Sequence, residues 1–205
     1  SSYNADAEII IMANELFKKL NMGNKITLEI NSIGCPTCRK EYQKALKEYV
    51  NSNIDNYCND CKNRLEKNPM RILDCKVESC KKANENAPVI TDYLCKECKE
   101  HFKGLRNILD EVEIKYFVNP KIVRGLDYYT KTVFEFVSKE YGFTVLAGGR
   151  YDGLVSELGG QDTPAIGFAM GVDRLVEMYT EPYKTKRLQL FIATIGEKAD
   201  LYADR

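Results

Sequence analysis

Eight cysteines fall within one stretch of the chain, and they restrict its fold more than any other feature. They lie between residues 35 and 98 as four close pairs: Cys35 and Cys38, Cys58 and Cys61, Cys75 and Cys80, Cys95 and Cys98. Closely spaced thiolates are typical ligands of tetrahedral zinc, which takes four of them per ion. We therefore predict two structural zinc sites of four cysteines each. The alternative is that the cysteines are reduced, buried thiols without a metal.

The bulk properties indicate a globular protein in a reducing compartment. The chain has 205 residues, 44% of them hydrophobic, which is enough for a packed core, and its 30 basic residues balance 30 acidic ones. The first residues lack the basic-then-apolar order of an export signal, so disulfides are not expected. No apolar run is long enough to span a bilayer. We expect a cytoplasmic location and no membrane partner.

Helix lengths lead to a hypothesis for the pairing of the cysteines. A helix over residues 39–50 would carry the chain about 18 Å outward, so that the second pair lies far from the first. A helix over residues 98–112 must return to the body, so that the fourth pair also starts at the far end. We predict that one ion is shared by Cys35, Cys38, Cys75 and Cys80, and the other by Cys58, Cys61, Cys95 and Cys98. His101 is a less favoured substitute ligand, since four cysteines already complete each tetrahedron.

The order of apolar patterns predicts an α+β fold with an insertion. Helical spacing occurs at residues 6–20 and strand alternation at 25–34, whereas the cysteine region is mostly helical. Short strands follow residue 114, and a helix at 171–179 begins at a glycine. A further strand at residues 188–196 and a helix after it predict the start of an α/β domain. We predict four parts. The first part of the core spans residues 1–34, the insertion 35–113, the second part of the core 114–180, and a linker with the start of the next domain 181–205.

The stretch "VRGLDYY" places a cation and two tyrosines just before a predicted strand. Arg124 precedes Gly125, which allows close approach to the backbone, and a guanidinium can bind two phosphate oxygens at once. The alternative is an ordinary solvated arginine. Tyr128 and Tyr129 are adjacent, so along an extended chain they would point to opposite faces. We therefore expect at most one of them to enter a given pocket.

Two later stretches also carry candidate binding residues. In "AGGRYDGL" a glycine pair leaves bare backbone for a ligand, while Arg150 and Tyr151 offer directional contacts, although such a turn is also common architecture. In "PAIGFAMGVDRL" a strand leads directly into a helix. Arg174 lies in its first turn, where a cation is unfavourable unless an anion is bound there. A salt bridge to a nearby acid is the alternative.

Taken together, the three stretches resemble the class II histidyl-tRNA synthetase family. "VRGLDYYTKTVFEF" and "AGGRYDGL" are similar to its two histidine signatures, and "PAIGFAMGVDRL" to class II motif 3. The stretches "LEINSIGC", "NPMRILDCK", "DYL" and "EHF" extend the resemblance over nearly the whole chain. The resemblance implies a class II antiparallel sheet with flanking helices. The insertion would be the domain that contacts the acceptor arm of the tRNA.

The resemblance also implies roles for individual residues. Arg124 would contact the ATP α-phosphate in the place that related synthetases give to a metal, and Arg174 would pack on the adenine and reach the γ-phosphate. The remaining matched positions are two histidine-binding tyrosines, two glycines at the floor of the pocket and a contact to the imidazole: Tyr128, Tyr129, Gly148, Gly149 and Tyr151. The implied substrates are L-histidine, ATP with Mg²⁺, and tRNA(His), and the implied assembly is a homodimer.

The chain departs from the family by omission. Class II motifs 1 and 2 are not found, and only the beginning of an anticodon-binding domain follows, so we expect a fragment that is inactive alone. One alternative is a histidine-sensing paralogue that resembles the regulatory subunit of ATP phosphoribosyltransferase. The retained arginines and the start of the further domain argue against it. A zinc-dependent nucleic-acid-binding module is the other alternative, since the cysteine region is rich in lysine.

Overall fold

The computed structural model describes residues 2–123, 125, 127–180, 190–196 and 199. The helices and strands come in the order α1 (Tyr3–Lys19), β1 (Ile26–Ser32), α2 (Pro36–Ser52), α3 (Asn59–Lys67), α4 (Glu78–Ala83), α5 (Lys96–Glu111), β2 (Tyr116–Val118), β3 (Thr130–Ser138), β4 (Thr144–Arg150), α6 (Leu154–Glu157), β5 (Ile166–Met170) and α7 (Val172–Met178). Short 3₁₀ turns connect several of them. Among the described residues, each helix is too short or too polar to cross a bilayer.

The strands form one sheet in the order β2, β1, β3, β4, β5. All neighbouring strands are antiparallel except β1 and β2, which pair in parallel. A hairpin joins β3 to β4, and in its turn Gly142 has a φ of 69° and its N–H donates to the backbone oxygen of Ser138. The predicted α+β class and mostly antiparallel sheet are therefore confirmed.

Helices α1 and α5 cover one face of this sheet. Their apolar stripes meet the inward residues of β1, β3 and β4, because every second strand residue points to the same face. Phe17 of α1 lies 5.1 Å from Phe136 of β3, measured between ring centroids, and both are almost fully buried. Leu105 and Leu109 of α5 are completely buried in the same core. The opposite face of the sheet is left for the site.

The cysteine region has a hydrophobic core of its own. Tyr42 and Leu46 of α2 pack with Ile72 and Ile90, and all four side chains are nearly inaccessible. Helix α5 belongs to both parts of the molecule: Cys98 lies in its first turn, among the cysteines, while its later residues pack under the sheet. The predicted boundary between insertion and core, at residue 113, stays a prediction.

The strand predicted at residues 188–196 does not form in its described part. Residues 190–195 have no regular structure, and Phe191 and Ile195 are largely exposed. A strand depends on a neighbour for its backbone hydrogen bonds, and no described strand lies beside this segment. The helix predicted after residue 196 lies almost entirely outside the described residues.

Candidate functional site

Three tyrosine rings meet at the end of the sheet where β3 begins and β4 ends. The ring centroids of Tyr128 and Tyr129 are 4.6 Å apart, and the ring of Tyr151 stands edge-on to both at 5.9 and 6.2 Å. Aromatic rings attract one another at such distances and angles. The structure thus brings together all three predicted tyrosines.

The expectation that Tyr128 and Tyr129 point to opposite faces is wrong. It assumed an extended chain, but Asp127 and Tyr128 lie in a turn before β3, so strand alternation does not apply to them. The start of β3 is itself irregular: its register to β4 shifts between Thr130 and Val133, and Lys131 has a left-handed backbone with a φ of 54°. Such a bulge redirects the chain next to a site.

The two predicted pocket glycines lie on opposite faces of β4. A Cβ on Gly149 would lie 2.7 Å from the backbone oxygen of Thr132 and 2.9 Å from Cδ1 of Tyr129. A Cβ on Gly148 would instead meet Phe134, at 2.7 Å from its Cζ, on the helix-covered side. Only Gly149 therefore borders the tyrosine cluster, whereas Gly148 lets the sheet core close.

Gly149→Ala is expected to lower the free energy of unfolding by about 1–3 kcal/mol, because the added methyl group must displace strand β3 or the Tyr129 ring. Urea titration of the purified protein would measure the change. Gly153→Ala is the matched control, since a Cβ there would approach Glu157 of the described residues no closer than 3.6 Å. Equal stability of both variants would contradict the tight packing of Tyr129 on Gly149.

Polar residues on the open face of the sheet are a part of the site that the sequence prediction missed. Glu29 of β1 stands directly opposite Glu135 of β3, accepts a hydrogen bond from Asn119 at 2.7 Å, and lines a cavity of about 600 Å³ with Glu135. Thr144 donates to Glu135 at 2.5 Å. Strand alternation could have indicated this face, since Glu29 lies on the polar side of the alternation in β1 and Glu135 lies between two phenylalanines of β3. Two adjacent carboxylates favour a cation beside them.

The predicted phosphate-binding arginines differ in what the structure says of them. Arg124 lies outside the described residues, but its neighbour Gly125 lines the open-face cavity. Arg174 donates to the backbone oxygen of Thr144 at 2.6 Å, and its guanidinium lies 5.3 Å from the ring centroid of Phe143. Among the ion pairs of the described residues none includes Arg174, so the salt-bridge alternative finds no support. Arg174 borders a second cavity, of about 330 Å³.

Arg150 does not face a ligand pocket, contrary to the expectation of a directional contact. Its side chain is 2% exposed and points to α1, where both Nε and Nη2 donate to Oδ1 of the fully buried Asp6. Nη1 donates to Asp152 at 2.7 Å and Nη2 to the backbone oxygen of Ser2 at 2.9 Å. Tyr151 lies between Arg150 and Asp152. The bonds from Arg150 to Asp6 and Asp152 therefore hold the backbone on both sides of Tyr151.

His101 completes this buried network and is not a candidate metal ligand. Its Nε2 lies 2.8 Å from Oδ2 of Asp6 and 3.4 Å from Oγ1 of Thr132. Burial opposes the charge on Asp6, but hydrogen bonds from His101 and Arg150 outweigh it and hold the pKa of Asp6 below its ordinary value of 3.8. The less favoured role of His101 as a substitute ligand is therefore wrong.

The eight cysteines form two clusters, and the predicted pairing is wrong. The first cluster joins the outer pairs and the second joins the inner pairs: Cys35, Cys38, Cys95 and Cys98, and Cys58, Cys61, Cys75 and Cys80. Helix α2 does carry the chain outward, but the return precedes α5. The segment before Cys95 runs back along α2, where Tyr42 donates to the backbone oxygen of Pro88 at 2.9 Å and packs on Tyr93. About 15 residues of extended chain easily span the length of α2.

The geometry of both clusters fits a tetrahedral metal. Four sulfurs bound to one zinc ion lie about 3.8 Å from one another. The sulfurs are 3.6 Å apart for Cys35 and Cys38 and 3.9 Å for Cys58 and Cys75, and all within each cluster lie within 4.8 Å. Cys35 and Cys58 are also the N-caps of α2 and α3. Tetrahedral sites of four thiolates hold zinc or iron–sulfur centres.

One cysteine in each cluster is poised as a thiolate. Burial opposes ionisation of Cys35, but hydrogen bonds from the backbone and thiol of Cys38 outweigh it and lower the pKa of Cys35 to about 7. The backbone N–H of Cys61 is the main cause that lowers the pKa of Cys58 to about 7. Burial raises the pKa of Cys61 and Cys98 instead. A bound cation would favour the thiolate form of all of them.

Comparison with known proteins places these features in one family. The sequence model of the histidyl-tRNA synthetase family matches residues 1–175. The chain is 52% identical to the histidine–tRNA ligase of Caldanaerobacter subterraneus subsp. tengcongensis, over 98% of its own length and 49% of that protein, and 49% identical to that of Clostridium novyi, over 97% and 48%. The chain therefore spans about half the length of the curated relatives it matches.

Solved structures agree with the sequence relatives. The apo histidyl-tRNA synthetase of S. aureus superposes over the whole chain, and over 51% of its own, with a TM-score of 0.72 at 36% identity. A Bacillus halodurans protein titled as an ATP phosphoribosyltransferase regulatory subunit/histidyl-tRNA synthetase shares the fold, with a TM-score of 0.52 at 21% identity. Signatures, sheet topology and relatives agree: the chain belongs to the histidyl-tRNA synthetase family.

Proposed function

We propose that the protein carrying this chain is a histidine–tRNA ligase. It activates L-histidine with ATP and transfers the histidyl group to tRNA(His). The tyrosine cluster is the observation that carries the proposal, because three phenol rings grouped beside Gly149 suit a small, flat, aromatic side chain such as imidazole. The names of the curated relatives favour this function over the histidine-sensing alternative.

Histidine would bind at the tyrosine end of β4, and ATP toward its other end. Tyr128, Tyr129 and Tyr151 would line the amino-acid pocket, with Gly149 at its floor. Arg174, which already lies on an aromatic ring, is suited to pack on the adenine and to reach a phosphate. Gly148 contributes to this pocket only through the shape of β4.

In the first step, a carboxylate oxygen of histidine attacks the α-phosphorus of ATP, and the bond to the leaving pyrophosphate breaks. Negative charge spreads over the equatorial oxygens, where the guanidinium of Arg124 would stabilise it. Mg²⁺ carried by ATP would neutralise charge on the phosphates. In the second step, a hydroxyl of the terminal ribose of the tRNA attacks the carbonyl carbon, and AMP leaves.

Arg124→Ala is expected to lower the rate of histidine-dependent exchange of pyrophosphate into ATP by about 10²–10³-fold, since a positioned charge at the reacting phosphorus is lost. The assay uses the full-length protein, with omission of histidine as the blank. Arg124→Lys keeps the positive charge but cannot bind two phosphate oxygens at once, so we expect intermediate activity.

The same assay separates the competing functions. A full-length protein that binds histidine but never exchanges pyrophosphate would be a sensor, and the ligase proposal would fail. An Arg124→Ala variant with unchanged exchange would retain the ligase but remove the role of Arg124. Exchange that does not require histidine would point to a different amino acid.

The two cysteine clusters would each hold one structural zinc ion. Their sulfur spacing and their thiolate-prone members support this proposal. The ions would fix the N-termini of α2, α3 and α5 and would take no part in the chemistry. The insertion that they stabilise would contact the acceptor arm of the tRNA.

The remaining features of the proposal rest on the family alone. They are a homodimeric, cytoplasmic enzyme and an anticodon-binding domain that starts after residue 180. The division at residues 34, 113 and 180 is retained in this proposal, with α5 as the element shared between insertion and core.

A further inference from the structure

The turn from Asp127 to Tyr129 carries two of the three tyrosines, yet the sheet alone does not shape it. It lies before the first residue of β3, outside the ladder with β1 and β4. Its conformation decides whether the rings of Tyr128 and Tyr129 meet or point apart. Side chains that bind this turn therefore set the shape of the proposed amino-acid pocket.

Arg39 binds the turn from the side of α2. Its Nη1 donates to the backbone oxygen of Asp127 at 3.0 Å and to that of Tyr129 at 2.8 Å. One cationic nitrogen thus bridges two carbonyls on either side of Tyr128, which bends the backbone around it. Hydrogen bonds from a charged donor are stronger than neutral ones.

The position of Arg39 is itself held by the first cysteine cluster. Arg39 follows Cys38 in the first turn of α2, and its own backbone N–H donates to the oxygen of Cys35 at 3.0 Å. Gly34 precedes the cluster with a φ of 66°, and its backbone oxygen accepts from the N–H of Lys131 at 2.9 Å. The same short stretch that carries the thiolates therefore meets both ends of the tyrosine turn.

Asn68 binds the turn from a later part of the cysteine-rich segment, directly after α3. Its Nδ2 donates to Oδ1 of Asp127 at 2.6 Å. Asn68 precedes Pro69, which restricts its backbone, and the 3₁₀ turn that follows is anchored by buried Met70 and Ile72. The Oδ1 of Asn68 is buried and has no hydrogen-bond partner among the described residues, which costs free energy.

We propose that Arg39 and Asn68 are positioning residues that hold the Asp127–Tyr129 turn in the shape in which its tyrosines line the histidine pocket. The cysteine-rich insertion then serves amino-acid recognition as well as tRNA contact. The inference rests on the proposed ligase function. Arg39 and Asn68 act through the turn and do not touch the reacting atoms.

The test measures KM for histidine, KM for ATP, kcat and the melting temperature of full-length variants in pyrophosphate exchange. For Arg39→Ala we expect KM for histidine to rise about tenfold or more, with kcat and KM for ATP within about twofold, because a pocket that must be reordered weakens histidine binding only. Arg39→Lys, which keeps a cationic donor, should recover part of the loss. Asn68→Ala should give a smaller rise in the same constant.

Arg64→Ala is the matched control, since Arg64 makes the same kind of bond within the insertion, to the backbone oxygen of Arg71 at 3.1 Å. It should leave KM for histidine unchanged. In the double variant Arg39→Ala with Asn68→Ala, the rise in KM for histidine should be smaller than the product of the two single rises, because both residues bind Asp127.

Two results would overturn the inference. One is an unchanged KM for histidine in Arg39→Ala. The other is a rise in both KM values with a fall in melting temperature, which would indicate a general structural role. A wild-type protein without histidine-dependent exchange would instead refute the proposed function, so the two failures are distinct.

Discussion

Replacing Cys98 by serine is expected to remove one of the two proposed zinc ions from the full-length protein and to lower the free energy of unfolding by about 4–5 kcal/mol. Cys98 is 1% exposed and shares its cluster with three other cysteines that start α2 and α5. Without the ion, buried sulfurs face one another at the base of both helices. Zinc content by mass spectrometry and urea unfolding would measure the two effects.

Double variants test which cysteines share an ion. Cys35→Ser with Cys95→Ser should lose one ion, because both belong to the first cluster, whereas Cys35→Ser with Cys75→Ser should lose both. The pairing expected from helix lengths predicts the reverse. His101→Gln is the control and should retain two ions, since His101 binds Asp6. A wild-type protein without bound metal would contradict the zinc assignment altogether.

Asp6→Ala is expected to lower the free energy of unfolding by about 3–5 kcal/mol, because the buried cation of Arg150 loses its fully buried partner and retains the partly exposed carboxylate of Asp152. Asp6 is completely buried and accepts from Arg150 and His101. Glu15→Ala is the matched control on the same helix. Glu15 pairs with Lys18 in solvent, with both side chains about half exposed, so its loss should change stability by less than about 0.5 kcal/mol. Chemical denaturation of both variants would make the comparison.

The buried pair of Asp6 and Arg150 also predicts that the protein loses stability in acid. Because the pKa of Asp6 is lowered on folding, its contribution is complete above the ordinary value of 3.8 and is lost as the pH falls through the folded pKa. Wild type should therefore lose more stability than Asp6→Asn between neutral pH and pH below about 4. Equal losses in both proteins would show that the carboxylate of Asp6 does not titrate with folding.

Apolar periodicity is sufficient to locate most of this fold. The helix expected at residues 6–20 is α1, and the strands expected after residue 114 are β2 to β5, because each has one face buried in a core and that face sets the period. Tyr151 and Gly149, which the likeness of the signatures singles out, lie beside the other tyrosines.

The departures occur where the chain has no period. Tyr128 and Tyr129 meet because a turn replaces the extended chain that alternation assumes. The cysteine clusters are nested because an irregular segment, and not α5, carries the chain back along α2. Arg150 is buried because Asp6, far away in sequence, supplies the partner. Irregular backbone and pairs of distant residues leave no local signal in a single sequence.

The two-sided packing of α5 limits how the insertion could be removed from this protein. A deletion of the whole cysteine-rich segment, residues 35–113, would also take Phe102, Leu105 and Leu109 from beneath the sheet. A truncation that keeps α5 and joins it to β1 near Gly34 would preserve the layer that covers the sheet. In protein-engineering terms, α5 is a fixed support of the sheet, whereas removal of the part before it would also take Arg39 and Asn68 away from the tyrosine turn.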